Sequence, residues 1–135
     1  AAMGTAAGIA LDRMVEYDRL ETLRDQMEAR LIQITPGMQI FGSDAPRLPN
    51  TSKLMMPGVS SETQVMSFDL AGIEVSAGSA CSAGRIEPPY VLTAMGVPDS
   101  DALCALRISL GWGTTEADID RLVAEWSAIY DRSVG

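Results

Sequence analysis

The chain has 135 residues and a hydrophobic fraction of 47%, which suits one globular domain with a buried core. Ten basic residues against eighteen acidic ones give a formal net charge of −8 without a basic cluster, which argues against a nucleic-acid-binding surface. The sequence has no apolar run near the roughly 20 residues of a membrane span, no signal peptide and no disulfide framework, so we expect a soluble cytoplasmic protein.

The N-terminal quarter of the chain is predicted to be helical. Residues 2–33 predict one long helix, or two helices joined near Gly8, because apolar residues recur at helical spacing with charged residues between them. The opening residues (AAMGTAAG) have neither helix-cap nor leader character, so we expect this chain to be the interior of a longer protein. The residues of the apolar stripe are Leu20, Leu23, Met27 and Leu31.

Short strands and one helix are predicted next. Residues 38–41 and 52–56 have the composition of strands and are bounded by Pro-Gly pairs. Residues 61–64 (SETQ) fit a capping box, which predicts a helix from Glu62 to Gly72 with the glycine as its left-handed cap. Residues 73–75 alternate as a third strand that leads into the next segment.

Lys53 is the only lysine in the chain and is therefore the one candidate for a Schiff-base residue. Such a lysine needs a pocket that lowers its pKa and phosphate-binding donors nearby. The sequence offers no glycine-rich phosphate loop and no histidine, so we predict a solvated lysine on a strand.

The segment from Val75 to Arg85 (VSAGSACSAGR) consists of small side chains around one thiol, Cys81. Glycine and serine lower the cost of unusual backbone angles and bury little apolar surface, so we expect residues 76–86 to form a mobile loop. Two interpretations remain open: an incidental surface thiol, or a nucleophile that moves between two places, with its pKa lowered by Arg85. The loop residues singled out are Ser76, Gly78, Ser79, Ser82 and Gly84.

Helices are predicted on both sides of the last strand. Pro88 and Pro89 open a short helix that Gly96 closes, and residues 98–101 predict a connecting turn. After the strand, Thr115 and Asp118 are spaced to cap a final helix. The apolar stripe of that helix predicts core packing by Ile119, Leu122, Val123, Trp126, Ile129 and Tyr130.

The clearest strand runs from Cys104 to Leu110. Leu106 and Ile108 share one face with Leu110, and Cys104 has the same parity, which predicts a buried core thiol. Arg107 lies mid-strand on the other face between small residues, where a guanidinium has room to bind a planar anion through two hydrogen bonds. From the residues alone, a solvated surface arginine is the alternative.

Four blocks of this sequence resemble the cysteine desulfurases, which are pyridoxal-phosphate enzymes of the class V aminotransferase family and of PLP fold type I. The Cys81 segment and the EPPYVLTAMG that follows it resemble their catalytic loop and the next helix. Three further blocks fit in order: RLPNT at 47–51, DLAGI at 69–73, and RISLG at 107–111 followed by TTE. The resemblance is to the C-terminal small domain only, with residues 1–34 as a linking helix and residues 35–135 as the domain that carries the cysteine loop.

The resemblance implies an α+β fold, with a small, mainly antiparallel sheet, helices on one face and a long N-terminal helix. It also implies a reaction that removes sulfur from L-cysteine, gives L-alanine and leaves a persulfide on Cys81, while Arg107 binds the substrate carboxylate. Pyridoxal phosphate and its lysine belong to the large domain in this family, so we expect no cofactor-binding residue, no metal site and no activity in this chain alone.

The partners implied are an iron–sulfur scaffold or another sulfur-acceptor protein, and a second copy in a homodimer, with no nucleic acid and no membrane. The serine-rich segment resembles that of the desulfurases that feed iron–sulfur cluster assembly. Two other classes of function remain: a persulfide relay module that works without a cofactor, and a structural or dimerisation domain whose thiol is idle.

Overall fold

The computed structural model describes residues 2–77 and 87–134, and within them six helices accompany a three-stranded antiparallel sheet of order β1-β2-β3. None of the helices in these two ranges has the length and apolarity needed to cross a membrane. The predicted α+β class is confirmed. The helices are α1 (Ala2–Asp12), α2 (Glu16–Ile34), α3 (Ser61–Leu70), α4 (Tyr90–Ala94), α5 (Asp99–Ala102) and α6 (Glu116–Val134), and the strands are β1 (Gln39–Ile40), β2 (Thr51–Met55) and β3 (Ala105–Ser109).

One face of the sheet forms the core with α2, α3 and α6. In β2 and β3, Leu54 lies opposite Leu106, and both are fully buried together with Ile108. The predicted alternation of β3 and the stripe of α6 are thus confirmed, because these side chains and those of the three helices form one cluster. Burial of this apolar surface is the main favourable term in the folding of the domain.

The opposite face of the sheet is covered only in part by the described helices. Leu92 of α4 and Ala102 of α5 pack with Ala105, which has the same strand parity as Arg107. Farther along β3, Arg107 and Ser109 are exposed. We call the side chains of Thr51, Lys53, Arg107 and Ser109 the open face of the sheet.

The N-terminal helical region is two helices, but the predicted junction at Gly8 is wrong. The break lies at residues 13–15, where Met14, Glu16 and Tyr17 each donate to the carbonyl three residues earlier. No side chain caps α2 at Val15, and no residue of α1 is buried. The sequence therefore carries neither a capping signal nor a packing pattern that marks this junction.

Residues 73–75 do not form the predicted third strand. Ile73 and Val75 pack against the core, but only the next residue, Ser76, pairs with the sheet, through an isolated bridge to Arg107. Their alternation reflects one buried side rather than a full ladder of backbone hydrogen bonds.

Two helix boundaries also differ from the prediction. Ser60, not Ser61, caps α3 by accepting from the Thr63 amide, because Ser61 is buried and its amide donates to the Leu103 carbonyl at 2.8 Å. The predicted turn at residues 98–101 is the short helix α5. The caps at the other ends are confirmed: Gly72 has φ 71° after α3, and the Thr115 and Asp118 side chains each accept from the other residue's amide before α6.

A buried ion pair attaches the loop before β2 to α2. The Glu28 side chain is 8% exposed, and its two oxygens accept from the two terminal nitrogens of Arg47 at 2.7 and 3.0 Å. Ser52 Oγ donates to the same carboxylate at 2.6 Å. The hydrogen bond to Glu28 is the main cause that raises the pKa of Arg47. This network fixes the register of β2 relative to the helix layer.

We expect Glu28→Ala to lower the free energy of unfolding by about 3 kcal/mol, because it leaves the Arg47 guanidinium and the Ser52 hydroxyl without their acceptor. Urea unfolding monitored by tryptophan fluorescence measures the change. Asp44→Ala, which removes an exposed carboxylate from the same loop, is the matched control and should change stability by less than about 0.5 kcal/mol. Equal stabilities for the two variants would show that the pair contributes nothing.

Candidate functional site

The backbone of Arg107 lies between Ser76 on one side and β2 on the other. Its amide donates to the Ser76 carbonyl at 2.6 Å, and its carbonyl accepts from the Ser76 amide at 3.1 Å. On the other side, β2 places Lys53 directly opposite. Because both polar backbone groups of Arg107 are directed to Ser76, Lys53 and Arg107 form a non-hydrogen-bonded pair, the type in which facing side chains lie closest.

The Arg107 side chain is exposed beside a shallow cavity of about 160 Å³. Within residues 2–77 and 87–134, no group accepts a hydrogen bond from its guanidinium and no carboxylate forms an ion pair with it. A guanidinium on a rigid strand with free donors is suited to a planar anion such as a carboxylate. The cavity is lined by Glu74, Val75, Ser76, Arg107 and Ser109.

The structure shows that the prediction of a solvated Lys53 is wrong. This side chain is half-buried on the open face, and its Nζ donates to the Ala77 carbonyl at 3.2 Å. Burial, and next the charge of Arg107, lower the pKa of Lys53 to about 8. The sequence could identify both strands, but only their register reveals that the two cations face each other.

Because its pKa is lowered in the folded state, Lys53 makes the free energy of unfolding depend on pH. Its folded pKa lies below the ordinary value of 10.5, so the unfolded state binds more protons between pH 8 and 10.5 and stability rises with pH across that window. We expect Lys53→Met to remove this rise and, after allowance for partial exposure, to raise the free energy of unfolding at pH 7 by about 1 kcal/mol.

Urea unfolding at pH 7 and at pH 10 measures both effects. Arg132→Met removes an exposed cation from the end of α6 and serves as the control that keeps the pH-dependent rise. If Lys53→Met retained the wild-type difference between the two pH values, the lowered pKa would not belong to Lys53.

The predicted nucleophile and most of its loop lie outside the described residues. This applies to Cys81 and to Gly78, Ser79, Ser82 and Gly84. Ser76, the first residue of the predicted loop, is described, and its backbone is tied to Arg107. The structure thus brings the side chains of Lys53 and Arg107 together on one face of the sheet, beside Ser76 and Ala77.

The other cysteine, Cys104, is not the core thiol that the sequence predicted. It lies one residue before β3, is only half-buried, and belongs to neither core cluster. Burial is the main cause that raises the pKa of its thiol, with a contribution from Asp101. A raised pKa disfavours the thiolate, so Cys104 is poorly suited to act as a nucleophile at neutral pH.

The described part of the chain shows no metal site and does not contain the parts that a pyridoxal-phosphate site needs. Within residues 2–77 and 87–134, no group of three or more His, Cys, Asp or Glu side chains is placed to hold a metal ion. Lys53, the only lysine in the sequence, is paired with Ala77 and faces Arg107, and the sequence has no histidine. These residues do not form a cradle for this cofactor by themselves.

Comparisons with known proteins agree on one family. The model of the family Aminotransferase class-V matches residues 2–122. A cysteine desulfurase of Cereibacter sphaeroides is 39% identical over 130 residues, which cover 96% of this chain and 33% of that protein. The cysteine desulfurase NifS of Azotobacter vinelandii is 36% identical over 124 residues, covering 91% and 31% respectively.

Comparison of the fold with solved structures also finds a NifS-like protein. The X-ray structure of a NifS-like protein from Rickettsia africae superposes with a TM-score of 0.82 at 32% sequence identity. The match covers 95% of this chain and 33% of that chain. The chain thus spans about a third of the length of the relatives it matches.

Proposed function

The chain belongs to the class V aminotransferase family, and we propose that the whole protein is a cysteine desulfurase that removes sulfur from L-cysteine. The observation that carries the proposal is the exposed guanidinium of Arg107, which has no partner among the described residues. It lies on a strand whose backbone is hydrogen-bonded to Ser76, in the part of the chain that leads to Cys81. The similarity to proteins named cysteine desulfurases supports the reaction, and the cavity beside Arg107 supports binding of a small carboxylate.

In the proposed reaction, the Cys81 thiolate attacks the sulfur of L-cysteine and the carbon–sulfur bond of the substrate breaks. The substrate carbon takes up a proton, so L-cysteine and the Cys81 thiol give L-alanine and a Cys81 persulfide, with atoms and electrons in balance. Arg107 binds the substrate carboxylate and fixes the orientation of the amino acid.

Class V aminotransferases depend on pyridoxal phosphate, which supplies an electron sink. Because the residues of this chain do not form a cradle for it, we place the cofactor on a part of the whole protein outside this chain. In this arrangement residues 35–135 contribute the nucleophile and the carboxylate-binding arginine, and residues 1–34 connect them to the rest.

We further propose that the persulfide passes to an iron–sulfur scaffold or to another sulfur-acceptor protein in the cytoplasm, and that the whole protein acts as a homodimer. A small-residue segment around Cys81 suits this transfer, because it permits the thiol to take two positions.

The test is to express the protein from its complete gene, record its visible absorbance and incubate it with L-cysteine. We expect absorbance from bound pyridoxal phosphate and release of L-alanine with one sulfur atom transferred for each alanine formed. A protein of this chain's size without a chromophore, or one that releases no alanine, would contradict the proposal and favour the relay or structural alternatives.

A further inference from the structure

Two cations face each other on the open face of the sheet. Lys53 lies opposite Arg107 in the non-hydrogen-bonded register, and the charge of Arg107 acts on Lys53. Like charges directly opposite on a sheet are destabilising, and partial burial of Lys53 adds to that cost. A sheet face that carries such a pair favours binding of an anion, because the anion neutralises the two positive charges.

The described residues contain no anion that does so. Glu74 lines the cavity together with Arg107, but it forms no salt bridge with either cation. The Lys53 ammonium has three donors, and its one acceptor in the described part of the chain is the Ala77 carbonyl. Two donors of Lys53 and the guanidinium of Arg107 therefore have no acceptor among residues 2–77 and 87–134, and a ligand could use them.

We propose that Lys53 is a second carboxylate-binding residue, which together with Arg107 holds the carboxylate of the amino-acid substrate; this inference rests on the proposed function. A carboxylate accepts about four hydrogen bonds, so the two that a guanidinium donates leave room for an ammonium. The anion lies between the two cations and removes their repulsion when it binds. Lys53 thus favours amino acids that carry a free carboxylate.

The hydrogen bond from Lys53 Nζ to the Ala77 carbonyl fixes the position of the Lys53 ammonium. It directs the Lys53 ammonium toward Ala77, the residue that follows the bridge between Ser76 and Arg107. A carboxylate bound by Lys53 and Arg107 is therefore held on the open face of the sheet, beside Ala77. Among the described residues, the charged side chain that faces Lys53 is Arg107 on β3, and Glu74 lines the cavity beside Arg107.

The first test uses steady-state kinetics of the protein expressed from its complete gene. We expect Lys53→Met to raise KM for L-cysteine about tenfold while kcat stays within about twofold of wild type. Lys53→Arg, which keeps a cation, should hold KM within about threefold of wild type, and Arg132→Met should change neither constant. In wild type a component of KM should rise as Lys53 loses its proton above pH 8, and this component should be absent in Lys53→Arg.

An unchanged KM in Lys53→Met would overturn the inference. So would a fall in kcat at constant KM, because that pattern belongs to a lysine that only holds the Cys81 segment through Ala77. These outcomes require an active wild type, and they leave the proposed function standing.

The second test does not depend on turnover. Because Lys53 is the only lysine, the 135-residue chain labelled with ¹³C-lysine gives one side-chain resonance, whose titration midpoint reports the pKa of Lys53. Acetate, used as the carboxylate probe, should move this midpoint upward from about 8, whereas chloride at equal ionic strength should not. No movement, or equal movement with both salts, would overturn carboxylate binding by Lys53. Movement with acetate alone in a protein that forms no alanine would instead refute the proposed function and keep the anion site.

Discussion

Replacing Cys81 by serine in the protein expressed from its complete gene should reduce L-alanine release from L-cysteine by roughly 10³-fold or more, because the reaction loses its nucleophile. A serine hydroxyl has nearly the same size as the thiol, but it is not ionised at neutral pH and cannot form a persulfide. Binding of L-cysteine should be retained, since Arg107 is unchanged. The measurement is alanine formation in the presence of a thiol reductant.

Cys104→Ser is the matched control for this variant. Cys104 is the other cysteine in the chain, is half-buried and has a raised pKa, so its loss should leave alanine release within about twofold of wild type. If Cys104→Ser rather than Cys81→Ser abolished the reaction, the nucleophile would be misassigned. If neither variant had an effect, the idle-thiol alternative would be favoured.

Removing the guanidinium with Arg107→Ala should raise KM for L-cysteine by about 100-fold, the effect of losing two charge-assisted hydrogen bonds. Folding should change little, because the side chain is exposed and has no partner among the described residues. Arg107→Lys should recover only part of the loss, since an ammonium cannot bind a carboxylate through two parallel bonds.

Arg121→Ala controls for the loss of a positive charge. Arg121 lies on α6 and donates to the Ala71 carbonyl, and it does not line the cavity beside Arg107. This variant should have the KM of wild type, and thermal unfolding of all three arginine variants checks that each is folded. Near-wild-type kinetics of Arg107→Ala at low L-cysteine would contradict the assignment of Arg107 to the substrate carboxylate.

Local patterns predicted much of the fold. The alternation in β3, the apolar stripe of α6 and the reciprocal cap of Thr115 and Asp118 all lie within a few residues of sequence, and each is present in the structure. The position of Arg107 on the exposed face of β3 follows from the same alternation. The family resemblance, and not this alternation, implies that Arg107 binds the substrate carboxylate.

Features that depend on distant contacts were missed. Lys53 reads as a solvated strand residue until the register of β2 and β3 places it opposite Arg107. Glu28 and Arg47 are separated by 19 residues, and no local rule indicates that they form a buried pair. The helix junction at residues 13–15 has no cap, so its location depends on backbone geometry that composition does not encode.

The proposed transfer of sulfur to Cys81 is tested most directly by mass spectrometry of the peptide that contains Cys81, after the protein from the complete gene has reacted with L-cysteine. We predict that this peptide gains the mass of one sulfur atom, that the Cys104 peptide does not, and that a reductant removes the added mass. An unmodified Cys81 peptide in a preparation that is releasing L-alanine would contradict the claim that Cys81 receives the sulfur.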